Sequence, residues 1–400
     1  MAESELKEEK INTKDGKKNR SVIRLLITGL VSLLYFSAFL LVLFAMIMKI
    51  HTDRVVEEVA AKGVSVNLSS GLETYYENAK IDILSDYLSE NEVMHKIYKI
   101  EEGMSVPLPS QECYGTFTYD EAAGISDIYA KALKCGLIDE GEMIFDPDSE
   151  NLASYAKVNY YYDDSILVII WKEYVDNHEI TYAEVKIGDP SQIRRKLAGD
   201  KYGSSAQYYC SELTGQANAV IGMNADFYAF RSLGTTCYDG TIYRTNNTLD
   251  TLFIDENGDF VFLKRGFDLG KEELQQYADS INADFAISFG PALIENGELL
   301  DIKSYPIGEI NETYSRAGIG QLSERHYLYM TVGYGKGTVM TLPEFAGYMY
   351  EKGVVMGYNL DGGQTGELVM NGKIYNSVDF GNERSVSDII YFATAIGEPQ

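Results

Sequence analysis

The run from Leu25 to Met48 contains no charged residue, and it constrains this chain more than any other feature. A helix of that length and apolarity spans a bilayer, because about 20 apolar residues match the hydrocarbon thickness. A cleaved signal peptide would carry a shorter apolar region, about 7–15 residues, ending at a small-residue cleavage site. Neither mark is present. Lys7, Lys10, Lys14, Lys17, Lys18, Arg20 and Arg24 precede the run, whereas only Lys49, Arg54 and Lys62 follow it closely. Positive charge is retained on the cytoplasmic side, so this asymmetry places the N-terminus inside and the remainder outside. The expectation is a cytoplasmic tail over residues 1–21 and a transmembrane signal anchor over 22–50. The protein is then a single-pass protein of the cell membrane with its main domain extracellular.

Charge and cysteine content narrow the chemistry of that remainder. The 400 residues carry a formal net charge of −26, whereas nucleic-acid binding needs basic stripes that neutralise phosphate. The same charge argues against docking of the folded part on anionic lipid. Cys113, Cys135, Cys210 and Cys237 have no metal-site spacing, and only His51, His95, His178 and His326 are available beside them. No metal site is expected. Proximity leaves Cys113–Cys135 and Cys210–Cys237 open as disulfides outside the cytosol, though spacing alone does not fix the pairing. A P-loop, a dinucleotide-binding glycine fingerprint and a Gly-x-Ser-x-Gly elbow are all missing, so no nucleotide cofactor is expected.

Residues 51–102 show helical spacing in Val55, Val56 and Val59 and again in Ile81, Leu84 and Leu88, which suits a helical stalk. Such helices either form a solvated spacer or pair with a partner or a second copy. Residues 103–154 read as a linker or small subdomain with one helix near Ala122–Leu133. From Tyr155 the pattern turns to strands. Ser165–Trp171 and Ile180–Ile187 are rich in β-branched residues around the turn Asp176-Asn177. Asp189-Pro190-Ser191 is expected to open a short helix ending near Leu197. Strands at Thr241–Tyr243 and Leu252–Ile254, a turn at Glu256–Asp259 and a helix over Lys271–Ala278 follow. Strands without strict alternation with helices predict an α+β domain built on a mixed sheet.

Near the C-terminus, Thr341 and Glu344 have capping-box spacing, Pro343 suits a first helical turn and Gly353 suits a stop. Val354-Val355-Met356 then reads as a buried strand leading to Asn359-Leu360-Asp361-Gly362-Gly363. Asn371-Gly372 between two apolar runs is a hairpin signal. Asp361 therefore sits at a strand end before two residues without a Cβ, where a ligand can approach the backbone. A plain Asp-Gly turn explains the same residues without chemistry.

Five short motifs occur in order: Gly222–Phe227, Phe289–Leu293, Ser315–Gly320, Asn359–Gly363 and Asn382–Asp388. Their order and spacing resemble the phosphodiester glycosidase family, from about Tyr155 to Gly397. Residues 155–400 are accordingly expected to form a phosphodiester glycosidase-like domain. The resemblance implies hydrolysis of a sugar-1-phosphate diester in a phosphorylated glycan, releasing the sugar and leaving a phosphomonoester. Many bacterial members are linked to exopolysaccharide.

The resemblance carries over Asp361 as the first catalytic carboxyl and Glu383 as the second, which alternatively only orients an arginine. Arg316 and Arg384 become phosphate ligands, since a guanidinium fork meets phosphate oxygens with paired hydrogen bonds. Asn224 would bind a sugar hydroxyl or phosphate, and Asp226 lies beside it. Gly290 shapes the pocket wall, and Asn359, Gly362, Gly363 and Thr365 complete the substrate-binding set. The family's Asp-Gly-Gly turn usually continues with Gly-Ser-Ser-Thr; here it continues Gln364-Thr365-Gly366-Glu367. Thr365 keeps one hydroxyl, and Glu367 is expected to bring a negative charge to the phosphate site. The family's usual Asp-Gly-Arg is replaced by Gly333-Tyr334-Gly335-Lys336. Two functions follow: a hydrolase, or a non-catalytic glycan-binding or envelope-assembly protein that keeps the pocket.

Overall fold

The computed structural model describes residues 97–101, 103–305, 309–333 and 339–396, which fall within the unit Glu92–Gln400. The expected tail, anchor and nearly all of the stalk lie outside the described residues, as do Tyr334 to Lys336. Among the described residues no helix is long and apolar enough to cross a membrane.

The run Ile166-Leu167-Val168-Ile169-Ile170-Trp171 shows how the architecture arises. Side chains alternate faces along a strand. Ile166, Val168 and Ile170 enter one core, while Leu167, Ile169 and Trp171 enter another. A strand covered on both faces needs an unbroken apolar sequence, and that is what stands here. It belongs to a nine-stranded sheet in the order Tyr114–Phe117, Val158–Asp163, Ile166–Val175, His178–Ile187, His326–Val332, Arg316–Ser323, Met356–Leu360, Ala292–Glu295 and Glu298–Leu299.

Two five-stranded sheets complete the β-structure among the described residues. One runs Phe260–Leu263, Thr251–Asp255, Ala283–Ile287, Thr236–Tyr238 and Thr241–Arg244. The other runs Lys373–Ile374, Leu368–Met370, Ile221–Asn224, Asp388–Phe392 and Ile193–Leu197. Their apolar residues, among them Leu252, Phe285, Met223 and Phe392, share one core with Val168 and Tyr358 of the large sheet. The helices Ile125–Cys135 and Leu342–Glu351 supply Ile128, Phe345 and Met349 to the core that contains Leu167 and Trp171. Helix Cys210–Gln216 and helix Lys271–Ser280 each belong to a smaller core with one of the five-stranded sheets.

The α+β class is observed, but the mixed sheet is not: pairings in all three sheets are antiparallel. Hairpins and returns, rather than helical crossovers, join the neighbours. Three local expectations also change. Asp189 caps only a three-residue 3-10 turn, Pro190–Gln192, and Ile193–Leu197 is a strand with alternating burial. The strand before Asp361 begins at Met356 rather than Val354, because Val354 packs under the helix end while Val355 is exposed. The four cysteines are free, so neither the Cys113–Cys135 nor the Cys210–Cys237 pairing is formed.

Gly318 and Gly320 are packing positions. A Cβ on Gly318 would come within 2.8 Å of the Phe345 ring, and one on Gly320 within 2.5 Å of Val354. Their absence lets helix Leu342–Glu351 lie close against the sheet. Arg195 and Asp388 form a buried ion pair at 2.6 Å, and Arg195 Nη1 also donates to the Cys237 and Ala286 carbonyls. Those two carbonyl contacts tie the two five-stranded sheets together, and Asp388 holds the arginine that makes them, so the end of the Asn382–Asp388 motif serves the fold.

Candidate active site

The strand Met356–Leu360 lies between Arg316–Ser323 and Ala292–Glu295 and delivers Asp361 at its end. The chain must then turn against its neighbour. A Cβ on Gly362 would meet the Ser315 carbonyl at 2.4 Å, and Gly363 adopts φ +65° while donating to that same carbonyl. The two glycines are therefore demanded by backbone packing; the open side expected for a ligand at Gly362 is filled by the Ser315–Arg316 backbone.

A 340 Å³ cleft opens beside this turn. Gly290, Arg316, Asn359, Asp361, Gly362, Gly363 and Arg384 line it, so seven of the residues singled out in the sequence converge. Phe289 and Ser315, the first residues of two of the motifs, also line it, and Tyr314, Asp379 and Phe380 join from outside the motifs.

Asp361 is largely withdrawn from water. Its Oδ2 lies 2.7 Å from the Thr365 hydroxyl and 3.8 Å from Arg384 Nη2. Burial pushes the carboxyl up to about 6, against the lowering effects of the Thr365 hydrogen bond and of Arg384 and Arg231. A carboxyl held there exchanges a proton near neutral pH, the property a general acid or base requires.

The two arginines differ. The Arg384 side chain is half exposed, lies over the Phe227 ring and faces Asp361. Arg316 is buried: its Nε donates to the Met340 carbonyl, and its Nη2 to the carbonyls of Glu309 and Glu312 at 2.7 Å each. It holds the 309–312 loop beside the cleft, and among the described residues no carboxylate forms an ion pair with it. The expected free fork at Arg316 is thus committed to backbone oxygens, because those carbonyls would otherwise be buried unpaired.

Several expected ligands are placed elsewhere. Asn224 is buried; its Oδ1 accepts from Tyr329 and from the Glu367 amide, and its Nδ2 donates to the Asp361 carbonyl. It fixes the backbone of Asp361, and its burial keeps the second Nδ2 hydrogen away from a sugar. Asp226 is buried rather than solvated, accepting from the Ser288 and Phe227 amides and pairing with Arg231 at 3.5 Å. Thr365 is buried, and its hydroxyl is shared between Asp361 Oδ2 at 2.7 Å and the Gly362 carbonyl at 2.9 Å. Glu383 does not reach the cleft: it accepts from the amide and hydroxyl of Ser211 at the start of helix Cys210–Gln216. The other carboxyl residues lining the cleft are instead Asp379, bonded by the Ser315 hydroxyl, and Glu309.

Glu367 overturns a further expectation. It is fully buried, and neither carboxyl oxygen has a hydrogen-bond partner among the described residues. Burial, reinforced by Glu383, pushes it up to about 9. The side chain is neutral at pH 7 and brings no negative charge to the phosphate site. A free cysteine and a tyrosine stand near it, and burial also raises the Cys210 thiol and the Tyr329 phenol. Among the described residues no group of three or more His, Cys, Asp or Glu side chains is gathered to hold a metal ion.

The sequence pattern of the phosphodiester glycosidase family matches residues 217–393, a stretch that contains the Asp361 turn and Arg384. These residues belong to that family. The phosphodiester glycosidase stretch includes both strands beside Asp361 and leaves out the first strands of the large sheet. Among solved structures, the chain is similar to the catalytic domain of zebrafish N-acetylglucosamine-1-phosphodiester alpha-N-acetylglucosaminidase, auto-inhibited by its pro-peptide. The match has a TM-score of 0.47 at 16% identity and covers 62% of this chain and 84% of that one. A hypothetical protein from Synechocystis gives a TM-score of 0.48 at 13% identity, covering 59% and 64%. A putative exported protein from Burkholderia pseudomallei K96243 gives 0.42 at 14% identity, covering 54% and 74%. No curated protein matches the chain.

Proposed function

We propose that this protein hydrolyses a glycosyl phosphodiester, a sugar joined through its anomeric carbon to phosphate, in a cell-surface glycan or exopolysaccharide. The apolar run Leu25–Met48 would anchor it in the membrane, with the cytoplasmic N-terminus and the extracellular domain that the charge asymmetry favours. The observation that carries the reaction is the carboxyl of Asp361, held near 6 in a cleft with the Arg384 guanidinium 3.8 Å away. In this reaction water adds to the anomeric carbon as the bond to the phosphate oxygen breaks. The water proton passes to Asp361. The leaving phosphomonoester has a second pKa of about 6, so it departs without prior protonation when a cation faces it. Arg384 is that cation, and its planar fork suits two phosphate oxygens. One poised carboxyl therefore suffices, and Asp379 and Glu309 line the same space.

A binding protein without catalysis is the second reading. It is favoured by the commitment of Arg316 to three carbonyls and of Glu383 to Ser211, which leaves fewer groups for the reaction. The test is sugar release from an aryl phosphodiester of N-acetylglucosamine by the full chain and by Asp361→Asn. Release by the wild type that drops by a factor of about 10² or more in the variant supports the hydrolase. Equal release moves the chemistry off Asp361. No release from several sugar phosphodiesters favours the binding protein.

A further inference from the structure

A second cavity of 610 Å³ lies beside the candidate active site. Two ring contacts join them. Phe289 lines the Asp361 cleft, and the guanidinium of Arg231, which lines the second cavity, stands 4.7 Å over its ring. Arg384 lies 5.8 Å over Phe227, and Phe227 stacks at 4.5 Å on Phe230 of the second cavity.

The lining is unusual for a chain of net charge −26: it includes Arg231 and Arg244 and, among the described residues, no Asp or Glu. Arg244 donates to the carbonyls of Gly234, Tyr228 and Arg231 and has no carboxylate partner among the described residues. Arg231 Nη2 donates to the Ser288 carbonyl at 2.8 Å and has the Asp226 carboxylate at 3.5 Å, and its Nε is buried without an acceptor. Guanidinium groups so placed favour an anion, because an acceptor that is itself charged makes the stronger hydrogen bond. Aromatic rings supply the other half of the site. Phe230 has one face on Phe227 and is 40% exposed, and Tyr202 stacks on Tyr228 and Tyr243 at 5.6 and 4.8 Å. The C–H face of a pyranose packs on such rings. Serine hydroxyls at Ser205 and Ser232 sit at the exposed rim.

We propose that this cavity is a subsite for an anionic sugar unit, phosphorylated or carboxylated, next in the same glycan chain to the unit held at Asp361. The assignment rests on the glycan reading of the Asp361 cleft. It makes the substrate a repeating anionic glycan rather than an isolated sugar phosphodiester. Aromatic stacking orients the sugar, and Arg231 and Arg244 face its charge. Arg231 couples the two sites, since its charge is also felt at Asp361.

The test compares two probes on the full chain: the methyl phosphodiester of N-acetylglucosamine, and the same molecule extended by a second N-acetylglucosamine 1-phosphate unit. Calorimetry gives the ratio of their affinities in the wild type, in Phe230→Ala and in Ser205→Glu. Both substitutions are at exposed positions, and the second sets a carboxylate at the rim. The expected result is a gain of about tenfold or more from the extension, falling toward one in both variants. A ratio near one in the wild type, or a gain kept by both variants, overturns the subsite. Binding of N-acetylglucosamine 1-phosphate in this cavity without any gain from the extension assigns it to a separate sugar phosphate and also overturns the proposal. Sugar release, followed in parallel, reports on the hydrolase reading by itself. A variant-sensitive gain without release keeps the subsite and removes the hydrolase.

Discussion

The hydroxyl of Thr365 lies 2.7 Å from Oδ2 of Asp361, four residues apart across a turn that two glycines close. The contact stabilises the ionised carboxyl, while burial disfavours it, and the balance leaves Asp361 near 6. Thr365 is thus a positioning residue: it acts through Asp361.

Thr365→Val removes the hydrogen bond and keeps the volume. Loss of a stabiliser of the carboxylate moves the Asp361 pKa upward. If Asp361 acts as a base, the rate falls as pH drops through about 6 in the wild type and at a higher pH in the variant. A pH–rate profile of sugar release checks this, and an unmoved midpoint contradicts it.

Arg384→Gln separates binding from folding. The side chain is half exposed and its ion-pair distance is long, so unfolding free energy should change by no more than about 0.5 kcal/mol. Affinity for a sugar phosphodiester should fall about tenfold or more, because a charge-assisted phosphate contact is lost. Removing the positive charge also moves the Asp361 midpoint to higher pH. Calorimetry and denaturant unfolding, run side by side, read the two effects.

Arg316→Lys should do the reverse. A lysine ammonium cannot reproduce the fork that meets the Met340, Glu309 and Glu312 carbonyls. Leaving a buried carbonyl unpaired costs about 1–3 kcal/mol, so the denaturant midpoint should drop by that equivalent. An unchanged midpoint would mean that the guanidinium does not hold the loop.

Glu367→Gln tests the buried carboxyl. Its folded pKa, about 9, is raised above the unfolded value, so its favourable contribution is complete below the unfolded pKa and is lost as pH rises through about 9. Each unit of that difference corresponds to about 1.4 kcal/mol. The glutamine, which cannot ionise, should therefore gain stability over the wild type as pH climbs from 5 to 9.5. Urea unfolding at several pH values measures the difference, and parallel curves would reject the assignment.

The sequence alone determined the parts of this protein that local rules govern. The β-branched strand at Ile166–Trp171, the turn at Asp176-Asn177, the capping box Thr341–Glu344 and the Asn371-Gly372 hairpin all stand where composition, spacing and turn chemistry put them. The motifs also placed Asp361, Arg316 and Arg384 on one cleft. Tertiary structure decided what those side chains face. Glu383 and Arg384 are adjacent in sequence, yet one caps a helix through Ser211 and the other turns to Asp361. Asn224, Asp226 and Glu367 carry polar groups typical of a site, but packed sheets surround them, and burial sets both their partners and their charge. Asp379 enters the cleft from the turn just before the Asn382–Asp388 motif, and the second cavity arises only where Tyr202, Tyr228 and Phe230 meet Arg231 and Arg244. Burial and charge proximity are sums over neighbours brought in from far along the chain, so no short stretch of sequence contains them.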